Sequence, residues 1–425
     1  MYLDGNNNPT NTKFTEFEHV IFQYGDQNIR AFFDNDNRIQ NTWSHIESRY
    51  ADSYLELQNT LLTLENATIE NHRLEGIRLE NRNDGGLAEL TLRNSVIRNN
   101  GHHGIQTTGY LADHAILKEI STSVMEGNGQ NGIYQQNPTA AITLLGNTIQ
   151  NNSGHGVALF HKNMTLNEIS FVGNIVKDNG RSGILSSQAK FIDNTFEGNE
   201  FGIGHWGKLG SRFVDENGDD GNTFTDNTYN NAQGLYAREL SDTLSIVFPE
   251  EITSSVYMFE DIGDAVENGD RLVIDPGVII KIGHDGNNDQ FRIDDSILEA
   301  KGTENDPIVF TSYRDHNFGG KTNALSDTNS AKPDDWRELY LDGNSNPTTT
   351  KFTELEHVII QYGDHNIRTF FDNDNSIQNT WSHIESRYAD SYLEFQNTLL
   401  TLENATIEDH KESASRIATM VVWLN

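Results

Sequence analysis

Short apolar segments recur along residues 66–204, and Asn and Gly separate them. Each unit contains a Gly-Ile or Gly-Val pair, whose aliphatic members stand at 77, 105, 133, 157, 184 and 203, with separations of 28, 28, 24, 27 and 19. A helical repeat would show long runs with a 3.6-residue period and few glycines. Because Asn and Gly tolerate left-handed backbone angles, each unit is predicted to form two or three short strands joined by tight turns. About 24 residues at about 3.3 Å per residue suit one turn of a coil with three short faces.

Stacked coils would bring equivalent positions of successive units into columns. One apolar column is expected to contain Ile69, Ile97, Met125, Ile149 and Val176. A hydrogen-bonded asparagine ladder with one rung per coil is expected from Asn71, Asn99 and Asn151. We interpret these asparagines as structural rather than catalytic.

This pattern resembles the parallel β-helix repeat proteins of the pectate-lyase-like superfamily. The likeness is carried by forms such as Asn147-Thr148-Ile149-Gln150-Asn151-Asn152 followed by Gly154-His155-Gly156-Val157. It covers most of the chain and implies an all-β fold, a right-handed parallel β-helix in partial tandem modules. It does not identify an activity, since this fold hosts lyases, hydrolases, epimerases, adhesins and inert stalks.

A long repeat encloses the short one, because residues 2–72 return as residues 340–410 with nine mismatches in 71 aligned pairs. Such a period indicates a slice through a tandem array. Three mismatches exchange one apolar residue for another of different volume, which predicts buried but adaptable positions: Phe17 with Leu355, Phe22 with Ile360, and Leu57 with Phe395. Polar exchanges, such as Gln27 with His365 and Arg38 with Ser376, predict outward positions.

A second likeness begins near residue 257 and lies in residues 269–281, 297–303, 306–312, 319–323 and 334–336. These segments resemble the opening coils of large bacterial surface proteins with right-handed β-helices. We therefore predict the C-terminal part of one module over 1–237, a linker over 238–256, and the N-terminal part of the next module over 257–410. Residues 411–425 are a divergent tail in which the coil is not expected to continue. The tail is interpreted as a frameshift or truncation product, or else as a short apolar cap.

The net charge of −33 limits the kinds of molecule that the chain is expected to bind. Such a surface repels nucleic acid and anionic lipid, and it attracts cations, calcium above all. It also repels polyanionic polysaccharides unless calcium or a local basic groove intervenes. The chain has no cysteine, and no apolar run reaches the length of a membrane span. Its first residues do not form a signal peptide, and Met1 aligns with Leu339 inside the repeat. An export signal is therefore expected upstream of this sequence.

Two groups of residues suggest carbohydrate chemistry. The insertion at 204–221 carries the predicted carbohydrate site, in which a Trp beside basic groups would stack on a sugar ring: His205, Trp206, Lys208 and Arg212. Gly154-His155-Gly156 matches a tripeptide of β-helical polygalacturonases, but their paired aspartates are missing. We expect His155 to be an ordinary surface residue, in a variable slot shared with His103, Asn131 and Ser182.

Three groups of oxygen ligands predict calcium sites. The first alternates at Asp215, Asn217 and Asp219, a spacing that places three side chains around one hard cation. The second is Asp285, Asn287 and Asp289. The third rests on the family likeness and consists of Asp315, Asn323 and Asp327, although relatives often have Asp at the position of Lys321 and Gly at that of Asp334. A solvated acidic turn is the alternative interpretation of each group.

The preferred functional hypothesis is an extracellular or cell-surface bacterial protein that acts as an adhesin, stalk or matrix component. Calcium stabilisation and binding of a polysaccharide or cell-surface glycan are part of this hypothesis. Near-identical repeats add reach and valency, and no complete catalytic constellation is found in the sequence. One alternative is a polysaccharide lyase or glycoside hydrolase acting in the groove of one module. Another is a self-assembling fibre whose open coil ends associate end to end.

Overall fold

A computed structural model describes residues 1–4, 15–32, 40–81, 88–109, 115–136, 141–160, 169–186, 189–205, 221–228, 233–235, 243–246, 256–259, 271–282, 290–320, 330–343, 353–371, 378–411 and 415–424. All regular structure in these residues is β-strand, and the strands pair in parallel. The predicted all-β parallel coil is therefore confirmed. The chain divides into two compact units that meet in the sequence at residues 204–228.

The first unit is built from three columns of stacked strands. The first column contains Glu16–Gln23, Gln40–Arg49, Leu61–Glu65, Ala88–Arg93, Ala115–Ser121, Ile142–Leu145, Ile169–Val172 and Lys190–Ile192. The second column begins on the C-terminal halves of the two long strands and continues through Thr68–Glu70, Val96–Arg98, Val124–Glu126, Thr148–Gln150, Ile175–Lys177, Thr195–Glu197 and Thr223–Thr225. The third contains Tyr2–Asp4, Arg30–Phe32, Leu55–Gln58, Ile77–Asn81, Ile105–Gly109, Ile133–Gln136, Val157–Phe160 and Ile184–Ser186, and Ile203–His205 is next along the chain.

The apolar column predicted from the sequence is confirmed in the second strand column. Ile97 pairs with both Ile69 and Met125, and Ile149 pairs with both Met125 and Val176. All five side chains are fully buried. Each coil therefore buries its apolar residues against the coils on either side, which is why the first unit forms a core although the chain has a low hydrophobic content.

Two columns of turn residues with left-handed backbone connect the strands of the first unit. The first turn column, between the first and second strands of each coil, contains His19, His45, Asn66, Asn94, Thr122, Gly146, Gly173, Asp193 and Gly221. The second turn column, after the second strand, contains Tyr24, Tyr50, Asn71, Asn99, Gly127, Asn151, Asp178, Gly198 and Asp226. Asn, Asp and Gly dominate both columns because they reach this conformation at low cost.

The asparagine ladder exists, but the predicted residues do not form it. Asn71, Asn99 and Asn151 are the left-handed turn residues, with φ of 58°, 54° and 55°. From Asn99 onward, the rungs are the residues that follow the left-handed residues of this turn column, and the side-chain amide of each rung but the last donates to the next at 2.9–3.2 Å: Asn100, Asn128, Asn152, Asn179, Asn199 and Asn227. A second ladder follows the first turn column and runs through Asn147, Asn174, Asn194 and Asn222. A left-handed residue directs its side chain away from the core, so the next residue points inward.

The glycines of the Gly-Ile and Gly-Val pairs serve close approach rather than left-handed turns. None of Gly76, Gly104, Gly132, Gly156, Gly183 and Gly202 has a positive φ. A Cβ at Gly132 would lie 2.6 Å from the carbonyl oxygen of Gly156 and 3.0 Å from the side-chain amide nitrogen of Asn152. The turn backbones of adjacent coils therefore pack so closely that only glycine fits this column.

The second unit also has three strand columns. The first contains Thr243–Ile246, Arg271–Ile274 and Ile297–Lys301, and continues into Thr353–Gln361, Gln378–Arg387 and Leu393–Glu403. The second contains Gln233–Leu235, Val256–Phe259, Ile279–Ile282 and Ile308–Ser312, then the C-terminal halves of two long strands, and finally Thr406–Glu408. The third contains Gln290–Asp294, Glu338–Gly343 and Ile367–Phe371, and reaches Leu393–Glu403.

Buried apolar residues fill this second unit, including Trp336 and Trp381. The predicted adaptable positions are confirmed in the second copy, where Leu355, Ile360 and Phe395 are all buried. In the first copy Leu57 is fully buried, and Phe17 and Phe22 are half-buried in the outermost coil.

Part of the divergent tail adds one more strand to the second unit. Ser415–Leu424 forms a strand in parallel register with Leu393–Glu403, from Leu393 opposite Ser415 to Leu402 opposite Leu424. Parallel pairing uses backbone groups, so a sequence that lacks the repeat motif can still add a strand to an open edge. The module and linker boundaries proposed above stay predictions.

Candidate functional site

Most of the side chains singled out in the sequence lie outside the described residues. This applies to Trp206, Lys208 and Arg212 of the predicted carbohydrate site, and to Asp215, Asn217, Asp219, Asp285, Asn287, Asp289, Asn323 and Asp327 of the calcium sites. His205 ends the strand Ile203–His205. These sites stay predictions.

Asp315, from the third calcium group, lies in a buried polar network of the second unit. Its Oδ2 accepts from Thr311 Oγ1 at 2.7 Å and from Gln361 Nε2 at 2.6 Å. Lys281 is fully buried and donates from Nζ to the carbonyl oxygens of Asp315 and Gly320, both at 2.7 Å. Burial lowers the pKa of Lys281 to about 8, although the charge of Asp315 opposes this shift. These contacts hold the loop after Ile308–Ser312 against the coil.

His155 was predicted from the sequence to be a surface residue, and this prediction is wrong. Only 6% of His155 is exposed. Its slot forms a buried polar column with His103, Asn131 and Ser182. The backbone N–H of His155 donates to Asn131 Oδ1 at 2.7 Å, and that of Asn131 donates to His103 Nδ1 at 3.2 Å. Variation in this slot therefore reflects several ways of satisfying a buried backbone donor rather than exposure to solvent.

The two buried histidines predict a loss of stability in mild acid. Burial lowers the pKa of both His103 and His155 to about 4, from 6.5. As the pH falls below 6.5, these histidines become protonated in the unfolded chain but stay neutral in the folded chain. Protonation therefore favours the unfolded state, so the free energy of unfolding is highest above pH 6.5 and decreases towards pH 4. The upper limit is about 3 kcal/mol for each residue. Replacing both by Asn, the residue found at 131, should flatten this part of the pH dependence in urea unfolding.

His45 supplies the control for this experiment in EDTA, because it is exposed and stands in the first turn column rather than in the column of His103 and His155. His45→Asn should leave the slope between pH 6.5 and pH 4 unchanged. An identical slope in the double variant and the parent protein would contradict the role given to His103 and His155.

Exposed tyrosines in the second turn column form a candidate binding site in the first unit. Tyr24 and Tyr50 stand at equivalent positions of adjacent coils, with φ of 59° and 54°. Their rings stack with centroids 5.1 Å apart and planes at 9°, and they are 76% and 45% exposed. Exposed, preorganised aromatic rings provide apolar contact area at little entropic cost.

The two rings lie in a surface pocket of about 380 Å³, the tyrosine pocket, which is lined by Tyr24, Gly25, Asp26, Tyr50, Ala51, Asp52, Asn71 and Arg73. Ser53 Oγ donates to Asp26 Oδ1 at 2.9 Å, and Arg73 Nε donates to Asp52 Oδ1 at 2.7 Å. These contacts orient carboxylates whose remaining lone pairs can accept hydrogen bonds from a ligand. The pocket thus combines aromatic surface with fixed hydrogen-bonding groups.

The second copy repeats this arrangement at Tyr362, Asp364, Tyr388, Asp390 and Lys411. The tyrosine rings stack at 5.2 Å with planes at 11°, and Ser391 Oγ donates to Asp364 Oδ1 at 2.6 Å. Arg73 is replaced by Lys411, whose Nζ contacts Asp390, so the ion pair is kept although the residue differs.

Tyr362 is less exposed than Tyr24 because another segment of the second unit packs beside it. The backbone N–H of Asp335 donates to the Tyr362 carbonyl oxygen at 3.1 Å. Burial, together with Asp315, Tyr388 and Asp335, raises the pKa of Tyr362 to about 12. The two sites are built from equivalent residues, but the second is less accessible to a ligand.

The tyrosine pocket was not predicted from the sequence, although a signal for it exists. Tyr24 and Tyr50 are 26 residues apart, which equals the register shift of the paired strands Glu16–Gln23 and Gln40–Arg49. Applying the coil period to residues 15–60 would have placed the two rings in one column. The regular Gly-Ile pairs begin only at Gly76, so no motif marked this earlier coil.

Residues 35–201 match the family model described as right handed beta helix region. No match was found among curated proteins, and none among solved structures. Together with the parallel stacked coils, the family match defines a right-handed parallel β-helix repeat protein. Among the described residues, no helix is long and apolar enough to cross a membrane.

Proposed function

We propose that this chain is part of an extracellular or cell-surface adhesive protein whose β-helix carries repeated binding sites for neutral or amino-sugar glycans. The observation that supports this proposal is the tyrosine pocket and its counterpart in the second copy. An exposed aromatic ring packs against the apolar face of a sugar, and adjacent carboxylates accept hydrogen bonds from its hydroxyl groups. The pocket of about 380 Å³ is largely open to solvent, so a sugar would lie against its rings rather than be enclosed.

The charge of the site favours one class of glycan. Asp26 and Asp52 line the pocket beside a single Arg73, and the chain as a whole carries −33. Uronate-rich polymers would meet like charge here, whereas neutral sugars and amino sugars would not. The ligand class is therefore a neutral or amino-sugar polysaccharide, and no calcium bridge is needed for binding at this pocket.

Duplication of the site supports adhesion rather than catalysis. Two sites on one chain turn the second binding event into an intramolecular one, and avidity then exceeds the affinity of either site. An extended polysaccharide or a glycan-coated surface offers many equivalent partners, so weak single sites suffice. Calcium stabilisation through the sites predicted at 215–219 and 285–289 remains part of the proposal.

A glycan array probed with the full chain tests this function. Protein stripped with EDTA should bind neutral or amino-sugar glycans, and adding Ca²⁺ should not be required for contact with the sugar. Each bound glycan should then be incubated with the protein and followed by ultraviolet absorbance. Unsaturated products would establish the alternative, a lyase, whereas binding only to uronate polymers would contradict the proposed ligand class.

Tyr24→Asn combined with Tyr50→Asn should weaken binding of the full chain to a glycan-coated surface by at least tenfold, because the first-copy site and the avidity of two sites are lost. Asn occupies the same turn column at Asn71 and Asn99, so the backbone should be preserved. Leu145→Asn is the control, since Leu145 is 46% exposed but lies away from the pocket. Equal loss in the control and the double variant, measured by biolayer interferometry, would refute the assignment.

A further inference from the structure

A cluster of nitrogen and oxygen ligands lies in the first turn column, separate from the tyrosines. The histidine cluster consists of Glu18, His19 and His45, and its candidate ligand atoms all lie within 4.8 Å of one another. His19 Nε2 is 3.7 Å from Glu18 Oε1, and the His19 and His45 rings stack with centroids 4.3 Å apart. All three side chains are exposed and can move by rotation about their side-chain bonds.

The same cluster forms in the second copy from Glu356, His357 and His383. The two rings again stack with centroids 4.3 Å apart, here with planes at 8°. Both histidines line a surface pocket of about 400 Å³, to which the next coil contributes Asn404. The Asn404 side-chain nitrogen is 3.3 Å from His383 Nε2. The second cluster therefore lies in a concave site with a further polar group nearby.

Backbone conformation alone does not account for paired histidines at these positions. The turn column requires left-handed residues, and other coils of the first unit use Asn66, Asn94 and Gly146 at the equivalent places. Histidine occurs at two successive coils in each copy and is preceded each time by a glutamate at the first of them. The chain thus directs three donors to one point on its surface in both copies.

Two imidazoles and one carboxylate define the class of cation. Imidazole nitrogen binds Zn²⁺, Cu²⁺ and Ni²⁺ strongly, and two His with one Glu is an established zinc ligand set. Calcium prefers six to eight oxygen ligands, which these residues do not supply. Metal–nitrogen distances of about 2.0–2.1 Å require the donor atoms to close to roughly 3.3 Å, a movement within reach of exposed side chains.

We propose that each copy binds one transition-metal dication of the Zn²⁺ class, through Glu18, His19 and His45 in the first copy and through Glu356, His357 and His383 in the second. The two histidines of each site belong to adjacent coils, so the metal joins those coils at their surface. This inference does not depend on glycan binding, since the tyrosine pocket uses other residues.

Calorimetric titration of the EDTA-stripped full chain with ZnCl₂ tests the proposal. Two Zn²⁺ per chain are expected at micromolar concentrations, above any weak binding to surface carboxylates. His45→Asn should remove one site and His383→Asn the other, and the double variant should bind Zn²⁺ at least 30-fold more weakly. Asn is found at the next coil of both columns, Asn66 and Asn404, so folding should persist.

Copper provides a second readout that does not depend on stoichiometry. Cu²⁺ bound to the parent chain should show nitrogen hyperfine coupling from two imidazoles in electron paramagnetic resonance, and the double variant should lose it. His102→Asn is the control for a half-exposed histidine elsewhere and should change neither result. Zn²⁺ binding of the double variant equal to that of the parent chain, or no binding below 1 mM, would overturn the proposal.

Discussion

Asn152→Ala is expected to destabilise the first unit by about 3–5 kcal/mol, because it interrupts a buried hydrogen-bonded ladder. The Asn152 side chain accepts from the backbone N–H and the side-chain amide of Asn128, at 3.2 and 2.9 Å. It donates to Asn179 Oδ1 at 2.9 Å and to the Met125 carbonyl oxygen at 3.2 Å. Alanine leaves these buried groups without their side-chain partner. Urea unfolding followed by circular dichroism measures the loss.

The adjacent residue supplies the control for this prediction. Asn151→Gly should change the free energy of unfolding by less than about 1 kcal/mol, because Gly127 and Gly198 occupy the same turn column with φ of 64° and 65°. Two neighbouring asparagines should therefore differ several-fold in sensitivity. Equal costs at 151 and 152, or a greater cost at 151, would contradict the placement of the ladder.

Gly132→Ala is expected to cost about 3 kcal/mol, because the new methyl group has no space. It would lie 2.6 Å from the Gly156 carbonyl oxygen and 3.1 Å from Ile149 Cγ2, so two coils would have to separate. Separation would also lengthen the ladder hydrogen bonds between Asn128 and Asn152. Thermal and urea unfolding of the full chain should both register this loss.

Gly173→Ala distinguishes close approach from backbone preference. Gly173 has φ of 63° and nothing within 4 Å of a Cβ built on it. Its replacement should cost only about 1 kcal/mol, the penalty of a left-handed alanine. A larger cost at Gly173 than at Gly132 would mean that conformation rather than contact between coils explains the recurrent glycine of the repeat.

The sequence predicted the fold because the repeat spacing carries most of the information. Ile69, Ile97 and Ile149 could be assigned to one buried column from their spacing alone, and the strand register agrees. The ladder was placed one residue too early because the units carry asparagine doublets, such as Asn99-Asn100 and Asn151-Asn152. Spacing alone does not show which asparagine of a doublet adopts the left-handed backbone conformation and which directs its side chain inward. The φ angles distinguish the two.

The candidate sites were harder to predict because they depend on register between coils without a motif. His19 and His45, like Tyr24 and Tyr50, are 26 residues apart and meet only when their strands are aligned. The burial of His155 was missed for a different reason. The equivalent position holds chemically diverse residues in successive coils, which suggests exposure to solvent. A buried backbone N–H can, however, donate to several kinds of side chain.

Counting the glycan sites on the full chain tests the central claim most directly. A short oligosaccharide from the best array ligand should titrate with two sites per chain by calorimetry, the first-copy site binding more tightly because Tyr24 is more exposed than Tyr362. Replacing Tyr24 and Tyr50 by Asn should leave one site, and replacing Tyr362 and Tyr388 should remove the other. Undiminished binding after all four replacements would contradict the account.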